Sequence, residues 1–304
     1  MTRRLLLLAS DKAGGADDDT LATVAEVLSK NFEVQTAMTS SAEELDAALA
    51  ELDGRILVIA GGDGSLHAVV AALFRRGELA DADLALVPLG TGNDFAQTAG
   101  IPPGAVDAAS IIADAVRRPF DLIVDDRAEV AVNVVHAGVG ADAADRATAL
   151  KPALGVAAYP VGAMVAAATS SGWNVTVEAD GVLVHDDAAV FMVAVANGRT
   201  IGGGTAVCPV ADPSDGLLDL VIVTAVGVTA RVGFGADLRK SEHFDRDDVT
   251  HVRARTVTIR GDSLSYNADG EVGEPVASRV FSVLPSSWTL RVAKPPEFAP
   301  LEPE

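Results

Sequence analysis

Short apolar runs alternate with amphipathic stretches over the first ~125 residues. Residues 5–9, 32–36, 56–60, 84–88 and 120–124 read as strands, while 20–28, 42–52, 66–74 and 106–116 carry apolar side chains at three- and four-residue spacing. This alternation predicts an α/β domain with a doubly wound parallel sheet over residues 1–124. After Asp125-Asp126 the period drops to two, with Gly, Asn and Asp between runs at 130–136, 175–178, 189–196, 217–223, 252–259, 264–267 and 279–284. A mostly antiparallel β-sandwich over 125–294 is expected, with helices only at 153–170 and 228–239. Residues 295–304, holding Pro295, Pro296, Pro300 and Pro303 among glutamates, predict a disordered tail.

Two apolar stretches raise the question of a membrane. The run at 5–9 stops at Ser10-Asp11, short of a signal peptide's apolar core, and reads as a buried strand. The uncharged stretch 153–173 is long enough to span, but small residues dominate it and Pro160 interrupts it. A helical hairpin is expected there, with a lipid-contacting element as the alternative.

At 304 residues and 49% hydrophobic, the chain can bury real cores, which excludes intrinsic disorder. A net charge of −20 repels nucleic acid and anionic bilayers, so no nucleic-acid partner is expected. Cys208 is the only cysteine, which leaves no disulfide framework and no thiolate metal site and fits a reducing, cytoplasmic compartment. Cys208 and Met164 read as packing residues.

The chemistry gathers at two glycine-rich segments. A strand at 56–60 runs into Gly61-Gly62-Asp63-Gly64-Ser65, and a helix starts at Leu66. Glycines there allow positive φ and close approach, and the free N–H groups of a helix start suit a phosphate. Asp63 would repel that phosphate unless Mg²⁺ lies between them. The plainer alternative is a glycine turn with an aspartate cap. The next strand leads into Gly90-Thr91-Gly92-Asn93-Asp94-Phe95-Ala96, and loops after neighbouring parallel strands emerge on one edge, so the two segments should face each other. Thr91 offers a hydroxyl to phosphate, and Asn93-Asp94 can cap the next helix or orient water and metal.

Taken with two later motifs, these segments resemble the diacylglycerol kinase-like family of lipid kinases, which includes sphingoid-base kinases. The family's GGDGT stands here as GGDGS and its PxGTxNDFA as Pro88 to Ala96; Asn197-Gly198-Arg199, Gly202-Gly203-Gly204, Pro209 and Asp215-Gly216-Leu217-Leu218-Asp219 follow, then Asp269-Gly270-Glu271. The resemblance implies ATP held between the domains by Gly61, Gly62, Asp63, Gly64, Ser65, Leu66, Thr91 and Asn93, with Thr36 at the end of the second strand and Lys12 in the first loop. It implies Glu271 as general base, Asp63 in the catalytic machinery, and Mg²⁺ at Asp212, Asp215 and the carbonyl of Leu217. Asp94 and Asp121 would join an acidic network. A lipid hydroxyl needs a carboxylate to take its proton, and phosphoryl transfer otherwise depends on positioning and charge neutralisation.

There are departures. Ser10-Asp11-Lys12-Ala13-Gly14 replaces an Asn-Pro loop, and His67-Ala68 replaces the usual Asn-Glu, with His67 read as a helix residue rather than a ligand. His136 fits a strand-to-loop junction and is not read as catalytic. The expected activity is ATP- and Mg²⁺-dependent phosphorylation of a lipid hydroxyl, with diacylglycerol as acceptor. The alternatives are a soluble-substrate kinase resembling NAD kinase, or a catalytically weak nucleotide- or lipid-binding protein. The partner expected is a lipid at a membrane surface, met transiently at the inner face through apolar contacts; a homodimer is compatible with the chain.

Overall fold

The computed structural model describes residues 3–10, 18–138, 172–225 and 227–294. The helix expected at 153–170, the tail at 295–304, and Lys12 lie outside these residues, as does the expected hairpin at 153–173 apart from Gly172 and Trp173, which opens a strand. The first unit comprises β1 (Arg3–Ser10), α1 (Asp18–Ser29), β2 (Phe32–Thr39), α2 (Ala42–Ala50), β3 (Ile56–Gly61), α3 (Asp63–Arg76), β4 (Asp83–Pro88), α4 (Asp94–Ala99), α5 (Ala105–Ile111) and β5 (Val116–Asp125). The second contains β6 (Val130–Ala131), β7 (Val134–Gly138), β8 (Trp173–Ala179), β9 (Val182–Val190), β10 (Met192–Ala196), β11 (Thr200–Ile201), β12 (Thr205–Ala206), β13 (Leu218–Val223), α6 (Val228–Lys240), β14 (Val249–Ala254), β15 (Thr256–Leu264), β16 (Tyr266–Ala268), β17 (Glu271–Val272) and β18 (Val276–Val292).

Strands β2, β1, β3 and β4 lie side by side and parallel, so the order reverses between β1 and β3. Their apolar runs are continuous because helices cover both faces. Leu6, Leu8, Leu57 and Ile59 pack with α2, α3 and α4, while Leu5, Leu7, Val58 and Ala60 pack with α1 and α5. Leu5 to Leu8 are each at most 3% exposed, and burying such a side chain is worth about 1.5–3 kcal/mol. The doubly wound parallel sheet expected from the sequence is therefore present.

Beyond β4 the sheet changes character. The expected fifth parallel strand, β5, runs antiparallel to β18, whose C-terminal part lies parallel to β4 with Leu290 opposite Leu84. The helix expected over 106–116 ends at Ile111, because Val116 already belongs to β5. In the second unit β14-β13-β10-β7-β16-β17 form a six-stranded antiparallel sheet facing β8, β15 and the first part of β18. Ile123, Val135, Val195, Leu220, Val257 and Phe281 fill the space between them. That is the expected β-sandwich, with the runs at 189–196 and 252–259 each split into two strands. On the outer face of the six-stranded sheet, Phe234 of α6 packs with Cys208 and Val221. No described helix is long and apolar enough to cross a membrane.

Candidate functional site

The two glycine segments meet as expected. Leu89 N–H donates to the Gly61 carbonyl (3.0 Å), and a Cβ on Gly90 would lie 2.6 Å from the Cα of Gly62. Close approach, rather than positive φ, is why glycine occupies Gly61 and Gly62; neither they nor Gly64 has φ above zero, and Asn93 supplies the left-handed residue, at φ 52°. Helix α3 begins at Asp63, not Leu66, with Gly62 as its cap. The N–H groups of Ser65 and Leu66 bond the Gly62 carbonyl, whereas those of Asp63 and Gly64 have no partner among the described residues. A Cβ on Gly64 would meet nothing within 4 Å. Two free donors at the positive end of a 14-residue helix, with open space over them, make an anion cradle.

Asp63 has a bounded role in that cradle. Its Oδ2 accepts from Asp94 N–H and its Oδ1 from Phe95 N–H, both at 3.0 Å, so it caps α4 from a neighbouring helix. Burial raises its pKa above the ordinary aspartate value, opposed by those two bonds and assisted by the charges of Asp94 and Asp269. Asn93 closes the second segment on itself, accepting from Gly90 N–H (3.0 Å) and donating to the Gly90 carbonyl (2.7 Å). Leu66 points into the core at 1% exposure.

A cleft of about 770 Å³ opens over the cradle, lined by Gly62, Asp63, Gly64, Ser65, Thr91 and Glu271. Thr36 is not among its walls: β2 continues three residues further, and Thr39 at its end lines the cleft. A second lobe of about 480 Å³ shares His67, Ala71, Arg75 and Glu271 with the first and adds Phe74, Val130, Tyr266 and Val272. Glu271, exposed on β17, thus stands where the two lobes join.

The turn before Glu271 is held rigidly. Asp269 accepts from the N–H groups of Val132 (2.5 Å), Asn133 (2.9 Å) and Val134 (3.0 Å), and its Oδ2 lies 3.0 Å from His67 Nδ1. Sequence reading missed this pair; the histidine was legible only as a departure from the family pattern. Burial works to lower the His67 pKa, yet the bond to Asp269 and the charges of Asp269 and Glu271 raise it above its ordinary value.

The acidic residues outside the cleft serve the backbone. Asp121 accepts from Gly216 and Ser286 N–H, each at 2.7 Å, and so ties the 212–219 loop to β18. Asp212 accepts from Ser214 Oγ (2.6 Å) and pairs with Arg118, while Asp215 accepts from Leu217 N–H (3.0 Å) and pairs with Arg253. None of Asp212, Asp215 and Leu217 lines the cleft. As folded, the loop is a salt-bridged turn in which Arg118 and Arg253 each engage one carboxylate oxygen. Cys208 lies beside Asp219 and His251, whose Nε2 and Oδ1 are 2.6 Å apart. Burial and the Asp219 charge push its thiol up to about 12, which keeps it protonated and inert.

A parallel α/β unit with an anion cradle, facing a β-sandwich that carries a carboxylate, suits phosphoryl transfer, and the chain's relatives are phosphotransferases with an alcohol acceptor, of the lipid kinase class. Residues 4–124 match the diacylglycerol kinase catalytic domain, and residues 133–293 match the YegS C-terminal NAD kinase beta sandwich-like domain. The chain is 34% identical over 302 residues to "Probable lipid kinase YegS-like" of Xanthomonas campestris pv. campestris (strain 8004), covering 92% of this chain and 93% of that one. It is 28% identical over 262 residues to "Diacylglycerol kinase" of Bacillus subtilis (strain 168), covering 82% and 84%. The crystal structure of a diacylglycerol kinase from Bacillus anthracis str. Sterne shares the fold, with a TM-score of 0.75 at 24% identity over 96% of this chain and 98% of that one. The chain belongs to the YegS-like lipid kinase family.

Proposed function

We propose that the protein transfers the γ-phosphoryl group of ATP to the primary hydroxyl of diacylglycerol. The observation that carries this reading is the place of Glu271 where two joined lobes meet. One lobe is floored by the free N–H groups of Asp63 and Gly64, where the ATP phosphates would lie with Thr91 and Thr39 nearby. The other is mixed, with Phe74, Val130, Tyr266 and Val272 among Arg75, Arg127, Glu129 and Glu274, and would take the polar glycerol end of the acceptor. Glu271 would take the hydroxyl proton as the oxygen attacks the γ-phosphorus and the bond to the β-phosphate oxygen breaks. Mg²⁺, arriving with ATP, would neutralise phosphate charge. The acidic surface gives a bilayer no electrostatic hold, so lipid is taken up in transient apolar contact on the cytoplasmic face. Glu271→Gln is the test, with labelled ATP and a panel of diacylglycerol, monoacylglycerol, ceramide, sphingoid base and phosphatidylglycerol. Phosphotransfer should fall about 10²-fold or more at unchanged ATP affinity; an undiminished rate would remove Glu271 as the base, and a different preferred lipid would replace diacylglycerol.

A further inference from the structure

His67 follows the first glycine segment on α3, and its surroundings give it a use. The side chain is 17% exposed and lines both lobes, while Asp269, its partner across the two domains, is 2% exposed. Gly64, His67, Ala71 and Arg75 follow at three- and four-residue spacing along the cleft-facing side of α3. His67 therefore stands one turn beyond the cradle, with Glu271 on the opposite wall.

The hydrogen bonds decide which ring nitrogen titrates. The Asp269 carboxylate accepts three backbone N–H groups and can only accept from His67, so Nδ1 keeps a proton. The proton that comes and goes is on Nε2, which has no protein partner among the described residues. Around the joined lobes stand Asp63 and Arg75 of α3, Asp269, Glu271 and Glu274 of the β16–β17 region, and Arg127 and Glu129 of the turn after β5. The carboxylates outnumber the arginines and favour the imidazolium.

We propose that His67 is a pH-gated hydrogen-bond donor to the phosphoryl group in transit: protonated, its Nε2–H donates to an anionic phosphoryl oxygen where the lobes meet; unprotonated, it turns a lone pair there. The role rests on the phosphotransfer reading above. The sign follows from the proton count. The donor is present below the His67 pKa and is lost as pH rises through it, so turnover declines on the alkaline side. An anion docked against Nε2–H moves that decline to higher pH.

The experiment has two arms. The His67 imidazole is titrated by NMR, assigned through its loss in His67→Gln, with and without ATP and Mg²⁺. In parallel, kcat/KM is followed from pH 6 to pH 9 for the wild type and His67→Gln, whose amide keeps a non-titrating donor to Asp269. Nucleotide should raise the His67 midpoint by about one unit, a tenfold preference for the charged ring. The ratio of wild-type to variant kcat/KM should shrink from about tenfold at pH 6 toward one at pH 9. Bound ATP that leaves the midpoint unmoved, or a variant profile parallel to wild type throughout, would overturn the proposal. ATP bound with a raised His67 midpoint but no phosphotransfer to any lipid would defeat the lipid acceptor while keeping His67 as a donor to the nucleotide's phosphoryl oxygens; a protein that bound no ATP would overturn both.

Discussion

The Asp94 carboxylate accepts the backbone N–H of Gly203 at 2.9 Å, and that of Gly204 at 2.8 Å, across the boundary between the two domains. The glycines have φ of 87° and 104°, a conformation that points successive N–H groups at one anion and that residues with a Cβ rarely adopt. Asp94 is 5% exposed, so its charge is held by this nest rather than by water. Asp94→Asn should lower stability by about 1–3 kcal/mol, because its amide turns a donor toward a donor. Urea denaturation would show the loss as a lower midpoint, and an unchanged midpoint would mean that the clasp contributes nothing.

Gly64 and Gly90 are both glycines of the site but differ in what a methyl group would meet. At Gly90 it would clash with Gly62 at 2.6 Å, so Gly90→Ala should separate the two segments and lower both thermal stability and nucleotide affinity. At Gly64 it would meet open space inside a helix, where alanine is favoured over glycine by about 0.5–1 kcal/mol. Gly64→Ala should leave the fold intact or firmer while reducing ATP affinity at least several-fold. Unchanged affinity by calorimetry would place the phosphates elsewhere.

His136 gives the fold its own pH dependence. Burial pushes its pKa down to about 4, against a small opposing pull from Asp269. The folded protein therefore keeps His136 neutral where the unfolded chain would protonate it, and stability falls as pH drops from about 6.5 toward 4, by up to about 3 kcal/mol from this group. Comparing denaturant midpoints of the wild type and His136→Gln at pH 7 and pH 5 isolates that share: the wild type should lose more. Equal losses would mean that His136 is not the group responsible.

Much of the site is legible in sequence because its parts are local. A strand, a glycine segment and a helix start lie within one run, and the parallel order of β3 and β4 brings two such runs together. What escaped depends on distance along the chain or on strand ends. Thr36 and Thr39 are both threonines near the end of β2, and only the observed strand length shows that Thr39 is the one lining the cleft. The His67–Asp269 pair joins residues 202 apart, with no local pattern to announce it. Asp212 and Asp215 are legible as an acidic pair, but their partners Arg118 and Arg253 are remote in sequence and show only in the fold. The reversed direction of β5 follows from β18, which a sequence read from its N-terminus meets last.

That long strand also bears on how the protein is made. Its end, around Trp288 to Val292, lies between β4 and β5, and Trp288 is fully buried against Phe95 and Phe120. The α/β half comes off the ribosome first, yet its sheet lacks the strand beside β4, and its aromatic cluster has no Trp288, until residue 292 has been synthesised. A fragment ending at residue 124 would expose the flank of β4 and an unfilled aromatic hole. The first domain is thus the last to be completed.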